Sequence, residues 1–209
     1  MILKRWIVLP LVTLMLALNL GGMPAALADS SATPTDAEPA LVDDISSEPE
    51  QAEDDHGVMA TYHGETIDLA EGWEDAQICV EFTVDDVRCY QNEAELAEES
   101  PAASVLGSRS TPACPLGWAC LWEHTNYHGR RLRWRDPGKK NLSALGFRDQ
   151  ASSAYNNRRL YGFILEDFRT GLPNPKMYIG VNHPVRDFTK QRYLYGGDWN
   201  DKVDQVTLG

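Results

Sequence analysis

The chain reads as an all-β protein, and three observations carry that reading. Apolar and polar residues alternate in short runs, as at residues 130–134, where Leu132 and Trp134 interleave with arginines. Alternation of this kind marks a strand with one buried and one wet face. An aromatic turn pattern sits beside that run: Trp122, four residues, Tyr127, one residue, Gly129. Finally, residues 199–206 align with residues 147–154, 52 positions earlier, so the C-terminal part holds an internal repeat.

Taken in order, the chain opens with Lys4 and Arg5 before an apolar run over residues 6–20, and then Ala26-Leu27-Ala28. That is the anatomy of a secretory signal peptide over residues 1–28, cleaved after Ala28, and the mature chain is expected to be exported. Residues 29–57 form an acidic stretch: from Asp29 to Asp55 there are ten acids and no Lys or Arg. Such a composition buries too little apolar surface to offset chain entropy, so a disordered linker is expected. Residues 58–97 turn structural. Residues 65–69 alternate, residues 78–82 and 87–90 read as two strands around an Asp85-Asp86 turn, and Asn92 before Glu93 caps a short helix. Residues 98–112 are rich in Ser, Ala and Pro and read as a second linker. Residues 113–209 are enough for an independent fold.

Export gives the cysteines meaning, because oxidising compartments favour disulfides. Cys79, Cys89, Cys114 and Cys120 allow three pairings. Proximity favours Cys79 with Cys89 and Cys114 with Cys120. The first pair would clip the small module of residues 58–97, which is too short to hold a large core unaided. Zinc is the competing reading, but the Cys114–Cys120 spacing and the scattered histidines argue against it.

The turn pattern has a physical logic, since an aromatic folded over a hairpin needs a residue without Cβ where the chain doubles back. It is followed by Phe147-Arg148-Asp149-Gln150-Ala151-Ser152-Ser153. Together the two segments resemble the paired signatures of the βγ-crystallin Greek key, aromatic-x4-aromatic-x-Gly and then Asn/Asp-Asn/Asp-x-x-Ser/Thr-Ser. The second departs at its first position, where Arg148 stands. With the Cys-Pro-x-Gly-x-x-Cys opening at Cys114, the C-terminal part is similar to the secreted bacterial metalloproteinase-inhibitor family. That resemblance implies a two-Greek-key βγ-crystallin-like sandwich, preceded by the disulfide-clipped β-rich module and the acidic linker. It also implies a binding function, with an extracellular metalloprotease as partner and a rigid surface loop as the inhibitory element. The chain is expected to be a monomer. The alternative is a non-inhibitory calcium-binding or envelope-binding module. The aromatic turn of the second key is degraded, because Phe168 and Gly171 are wrongly spaced and residues 172–175 suggest a longer loop.

Calcium enters through the same resemblance, which implies paired oxygen-rich loops. The ligand candidates are Asp149 and Ser152 in the first loop, and Asn200, Asp201 and Asp204 in the second. Arg148 puts a cation where an oxygen is expected, and Gln205 replaces a serine, so the expectation is one weak site or none. A second candidate feature is the basic run from Arg130, Arg131, Arg133 and Arg135 through Lys139 and Lys140 to Arg148, Arg158 and Arg159. Arg131, Arg133 and Arg135 share one strand face and could meet an anionic envelope polymer. An exported location argues against nucleic acid. No catalytic motif appears, with neither a His-Glu-x-x-His nor a Gly-x-Ser-x-Gly, so no catalytic residues are assigned and the chain is not expected to be an enzyme.

Overall fold

The computed structural model describes residues 57–104 and 113–209. The expected leader with its cleavage after Ala28, most of the acidic linker and residues 105–112 lie outside the described residues. The described part is mostly β, with two sheets, one short α-helix and two disulfides.

The C-terminal strands are β5 (Ala119–His124), β6 (His128–Trp134), β7 (Gly138–Asn141), β8 (Ser153–Asn156), β9 (Phe163–Glu166), β10 (Lys176–Ile179), β11 (His183–Val185) and β12 (Gln205–Leu208). One sheet runs β11-β8-β5-β6 and the other β10-β9-β12-β7. Each therefore holds the first, second and fourth strands of one four-strand key and borrows the third from its twin. This is a Greek-key order with exchanged third strands. The exchange stitches the sheets together. Leu121, Leu132, Trp134 and Ala154 from the first sheet meet Phe163, Leu165, Val206 and Leu208 from the second in one dry core.

Antiparallel pairing explains the inward set. In β5 and β6, Leu121 stands opposite Leu132 and Ala119 opposite Trp134, all facing the second sheet. Cys120 and Trp122, on the alternate positions, face the other way and belong to a second cluster.

The strands before residue 91 were expected to form a module of their own. They extend the first sheet instead. β1 (Met59–Tyr62), β2 (Glu65–Asp68), β3 (Ile78–Thr83) and β4 (Asp86–Tyr90) continue it as β6-β3-β4-β1-β2. β3 runs parallel to β6, with Cys79 opposite Leu132 and Val80 opposite Arg133. The physical reason is burial. Ile78 and Val80 complete the apolar face that Cys120 and Trp122 begin, and β6 gains a partner for an otherwise unpaired edge.

Helix α1 (Glu93–Glu99) lies over that face and buries Leu96. Asn92 caps it as expected, its side-chain oxygen accepting from the Ala94 and Glu95 amides at 3.0 and 3.1 Å. Such a cap contributes about 1 kcal/mol. Where a linker was expected from residue 98, helix continues to Glu99, and a 3-10 turn over Pro101–Ala103 buries Ala103.

Both disulfides join the nearer partners, Cys79 with Cys89 and Cys114 with Cys120. Cys79 and Cys89 are directly opposed across the β3–β4 hairpin. A Cys79→Ala, Cys89→Ala double variant is expected to lose about 2–3 kcal/mol, the loop-closure contribution for a short ring. Urea unfolding monitored by tryptophan fluorescence checks this, and an unchanged midpoint would refute it.

Candidate functional site

The first-key turn is built as its sequence requires. After β5 the chain makes a 3-10 turn over Thr125–Tyr127, with Asn126 and Tyr127 in the left-handed region. Tyr127 packs edge-on to Trp122, with ring centres 5.1 Å apart. Gly129 follows with φ +78°, and a Cβ there would press on the His124 ring and Glu123. Ser153, the last serine of the signature, fastens the turn. Its hydroxyl donates to the His124 carbonyl at 2.7 Å and accepts from the Tyr127 amide at 3.1 Å. Gln205 holds the equivalent place in the second key.

The two signature loops face each other across a local two-fold. Phe147 and Trp199 anchor them in the core. Asp149 and Asp201 both have φ 54°. The Asp149 amide donates to the Val203 carbonyl and the Asp201 amide to the Ala151 carbonyl, each at 3.1 Å. The repeat seen in the sequence is thus a mutual clasp, in which each loop supplies the other's backbone partner.

The five metal candidates divide into two unlike halves. In one, Ser152 donates to Asp201 Oδ1 at 3.3 Å, and the Asn200 amide nitrogen donates to Asp201 Oδ2 at 2.6 Å. Asn200 Oδ1 is buried there without a hydrogen-bond partner. This half opens on a cleft of about 540 Å3, which Glu123, His124 and Asp149 also line, so Asp149 stands between the two halves.

In the other half, Arg148 Nε lies 2.5 Å from Asp204 Oδ1 and 3.7 Å from Asp149. Asp204 is buried, and its second oxygen accepts from the Phe168 amide. Burial raises the Asp204 carboxyl to about 6, with Asp149 adding to the rise while the Phe168 amide and Arg148 oppose it. A guanidinium thus stands where a cation would be drawn, and this half does not fit a metal ion. No group of three or more His, Cys, Asp or Glu side chains suited to a metal occurs among the described residues.

The basic run does not form the open face its alternation suggested. Arg133 is 0% exposed, and its guanidinium donates to Glu93 at 2.7 and 3.1 Å, to the Ala103 carbonyl, and to the Ala113 carbonyl at 3.2 Å. Arg131 shares Glu93. Burial, with Arg133 alongside, lowers Arg131 to about 10, so it remains charged at neutral pH. Arg130 pairs with Glu123 at 3.0 Å, Lys140 with Glu81, and Arg158 donates to the Gly209 carbonyl. The reason is tertiary: α1 and the added strands cover what would have been a wet sheet face. Arg131 and Arg133 are therefore taken up by Glu93, while Arg135, the third residue of that face, stays 61% exposed with Asp136 at 3.9 Å.

A third element is the loop closed by Cys114 and Cys120. Three bonds of 2.9 Å tie it to Asn157: the Gly117 amide to the Asn157 carbonyl, the Asn157 amide to the Trp118 carbonyl, and the Asn157 side chain to the Cys114 carbonyl. Trp118 is buried at its base.

Residues 107–161 match the model of peptidase inhibitor family I36. The I36 segment covers the Cys114–Cys120 loop and all four strands of the first Greek key. The matched model is that of a peptidase inhibitor family, whose part is to bind and not to catalyse. No curated protein matches the chain. Among solved structures, the chain is similar to a clostrillin double mutant in complex with nickel. They share 18% identity over 44% of this chain and 95% of that one, with a TM-score of 0.32. It is also similar to hahellin, a beta-gamma crystallin, at 18% identity over 44% of this chain and 91% of that one, with a TM-score of 0.30.

Sequence reasoning placed Arg148 at an odd position in its signature but did not find its partner. Asp204 is 56 positions away, and only the clasp of the two loops brings them together. The arginine itself was the signal, since a cation among candidate ligands needs an anion close by.

Proposed function

We propose that this chain is an exported peptidase inhibitor that acts by docking against an extracellular metalloprotease. The observation that carries the reading is the I36 match over residues 107–161, which includes the loop closed by Cys114 and Cys120 and its backbone bonds to Asn157. A surface held by a disulfide and by backbone bonds loses little conformational freedom on binding, and that is how a small rigid inhibitor gains affinity. Secretion, with cleavage after Ala28, belongs to the same reading and supplies both the disulfides and the partner's compartment. Titrating the secreted protein into a zinc metalloprotease, with a serine peptidase in parallel, tests it. Stoichiometric inhibition of the metalloprotease is expected. Full activity of both enzymes in excess protein would overturn the reading.

One calcium position, not two, accompanies this proposal. The buried, unpartnered Asn200 Oδ1 beside Asp201 and Ser152 favours it, because an orphaned oxygen at a carboxylate-lined cleft suits a hard cation. Isothermal titration with calcium chloride should give a stoichiometry of about one. A flat titration, or a second ion, would refute it.

A further inference from the structure

We propose that the surface by which this protein grips a peptidase is the apolar patch around Leu116, at the tip of the Cys114–Cys120 loop. This rests on the inhibitor reading above and adds where the contact is made and what it fits.

Leu116 is 60% exposed on a loop whose other large apolar residue, Trp118, is buried. Folding does not need an exposed leucine there, and the loop beneath it is fixed by the disulfide and the three bonds to Asn157. Leu116 does not stand alone. It shares a cleft with Val181, Asn182 and Arg159. The chain just after Arg159 presents Leu160 and Tyr161, 78% and 60% exposed. Tyr161 runs into Gly162, which has no Cβ, and a Cβ there would collide with the exposed Tyr178 ring. Leu116 and Val181 border one cleft, and Leu160 and Tyr161 follow directly on Arg159 at its edge; exposed apolar residues gathered in this way mark a protein contact.

The I36 match chooses among the apolar tips. Leu116, Leu160 and Tyr161 all lie within residues 107–161. Val84, at the tip of the other disulfide-held hairpin, is equally bare at 78%. It lies outside that segment and has Asp85 and Asp86 beside it. Leu194 and Leu172 are exposed on loops of the second key, also outside the match.

Charge defines the partner further. Arg159 is exposed beside Leu116, a local cation on a chain of net charge −12. The surface fits a peptidase whose substrate cleft has an apolar primary pocket for Leu116 and an acidic rim for Arg159. Anchoring by one buried aliphatic residue, with a rim charge steering approach, divides the work between dissociation and association rates.

The test uses the full mature chain against the peptidase it inhibits, with inhibition constants from a fluorogenic peptide assay and association rates from stopped flow. Leu116→Asp should weaken inhibition roughly 100-fold, the scale of a central anchor, and a Leu160→Ala, Tyr161→Ala double variant roughly tenfold. Val84→Asp should inhibit like wild type. Arg159→Glu should slow association severalfold at low salt and leave dissociation unchanged. Thermal midpoints should not move, because every altered residue is exposed, and Leu116→Asn serves if Leu116→Asp disturbs the loop. Unchanged inhibition by both Leu116 variants, or loss with Val84→Asp alone, overturns this assignment and leaves the inhibitor reading intact. An Arg159→Glu variant that associates at the wild-type rate removes the acidic rim. Failure of the wild-type protein to inhibit any peptidase overturns the reading and this assignment together.

Discussion

Replacing Glu93 by alanine is expected to lower stability by about 3–5 kcal/mol, the cost of leaving buried cations unpaired. Glu93 accepts from both Arg131 and Arg133, and Arg133 has no exposed surface to which it could retreat. Arg133 also holds the Ala103 and Ala113 carbonyls, so one guanidinium fastens α1, the turn after it and the chain entering the Cys114 loop to the sheet. Without the carboxylate, its charge stays in an apolar layer beside Ile78, Val80 and Trp122. Glu93→Gln should cost less, because the amide oxygen still accepts. A Glu93→Ala, Arg133→Met variant should recover much of the loss, since removing both partners abolishes the unpaired charge. Urea unfolding of the four proteins decides the matter. A Glu93→Ala loss below about 1 kcal/mol, the scale of an exposed ion pair, would refute the latch.

The second large effect is expected at Arg148, and it depends on pH. In Arg148→Ala the buried Asp204 keeps only the Phe168 amide against burial and the Asp149 charge. A loss of about 1–2 kcal/mol is expected at pH 7.5, less than at Glu93 because Arg148 is half in water and its pair is partly screened. The folded Asp204 titrates near 6 against about 3.9 for an unfolded aspartate. The fold therefore binds that proton more tightly than the unfolded chain does. The stability this adds is complete below about pH 4 and is lost as pH rises through about 6. Arg148→Ala should thus come close to wild type at pH 4.5 and fall behind above pH 6, while Asp204→Asn should lose this pH dependence. Unfolding midpoints at pH 4.5, 6 and 7.5 test it, and a deficit of Arg148→Ala that stays constant across that range would sink the argument. Arg148→Asn should also show a larger calcium-induced rise in Tm than wild type, since it removes the resident cation from that half.

The legible features were those decided within a few residues. Alternation at residues 130–134 exposed β6, because a strand's side chains report its faces locally. Asn92 before two glutamates announced its own cap, and Gly129 its turn. The repeat at 147 and 199 foretold two facing loops, since each uses the same backbone geometry at its aspartate. Short strands such as β7 and β11 were not seen, for four or three residues carry too little pattern. The second turn was legible only as a longer loop over residues 172–175, because Phe168 and Gly171 break the aromatic spacing and Gln205 cannot repeat the hydroxyl bridge that Ser153 makes.

By itself, then, the sequence determined the β character, the aromatic turn, the helix cap and the two-loop repeat, because each is written in contacts between near neighbours. Only the tertiary structure decided that β3 would lie parallel to β6, that three arginines of an apparently wet run would be paired or buried, and that Arg148 would take the place of a cation beside Asp204. Those outcomes join residues tens of positions apart. Whether a charge is solvated or buried depends on what folds over it, and a strand's own pattern holds no record of its cover.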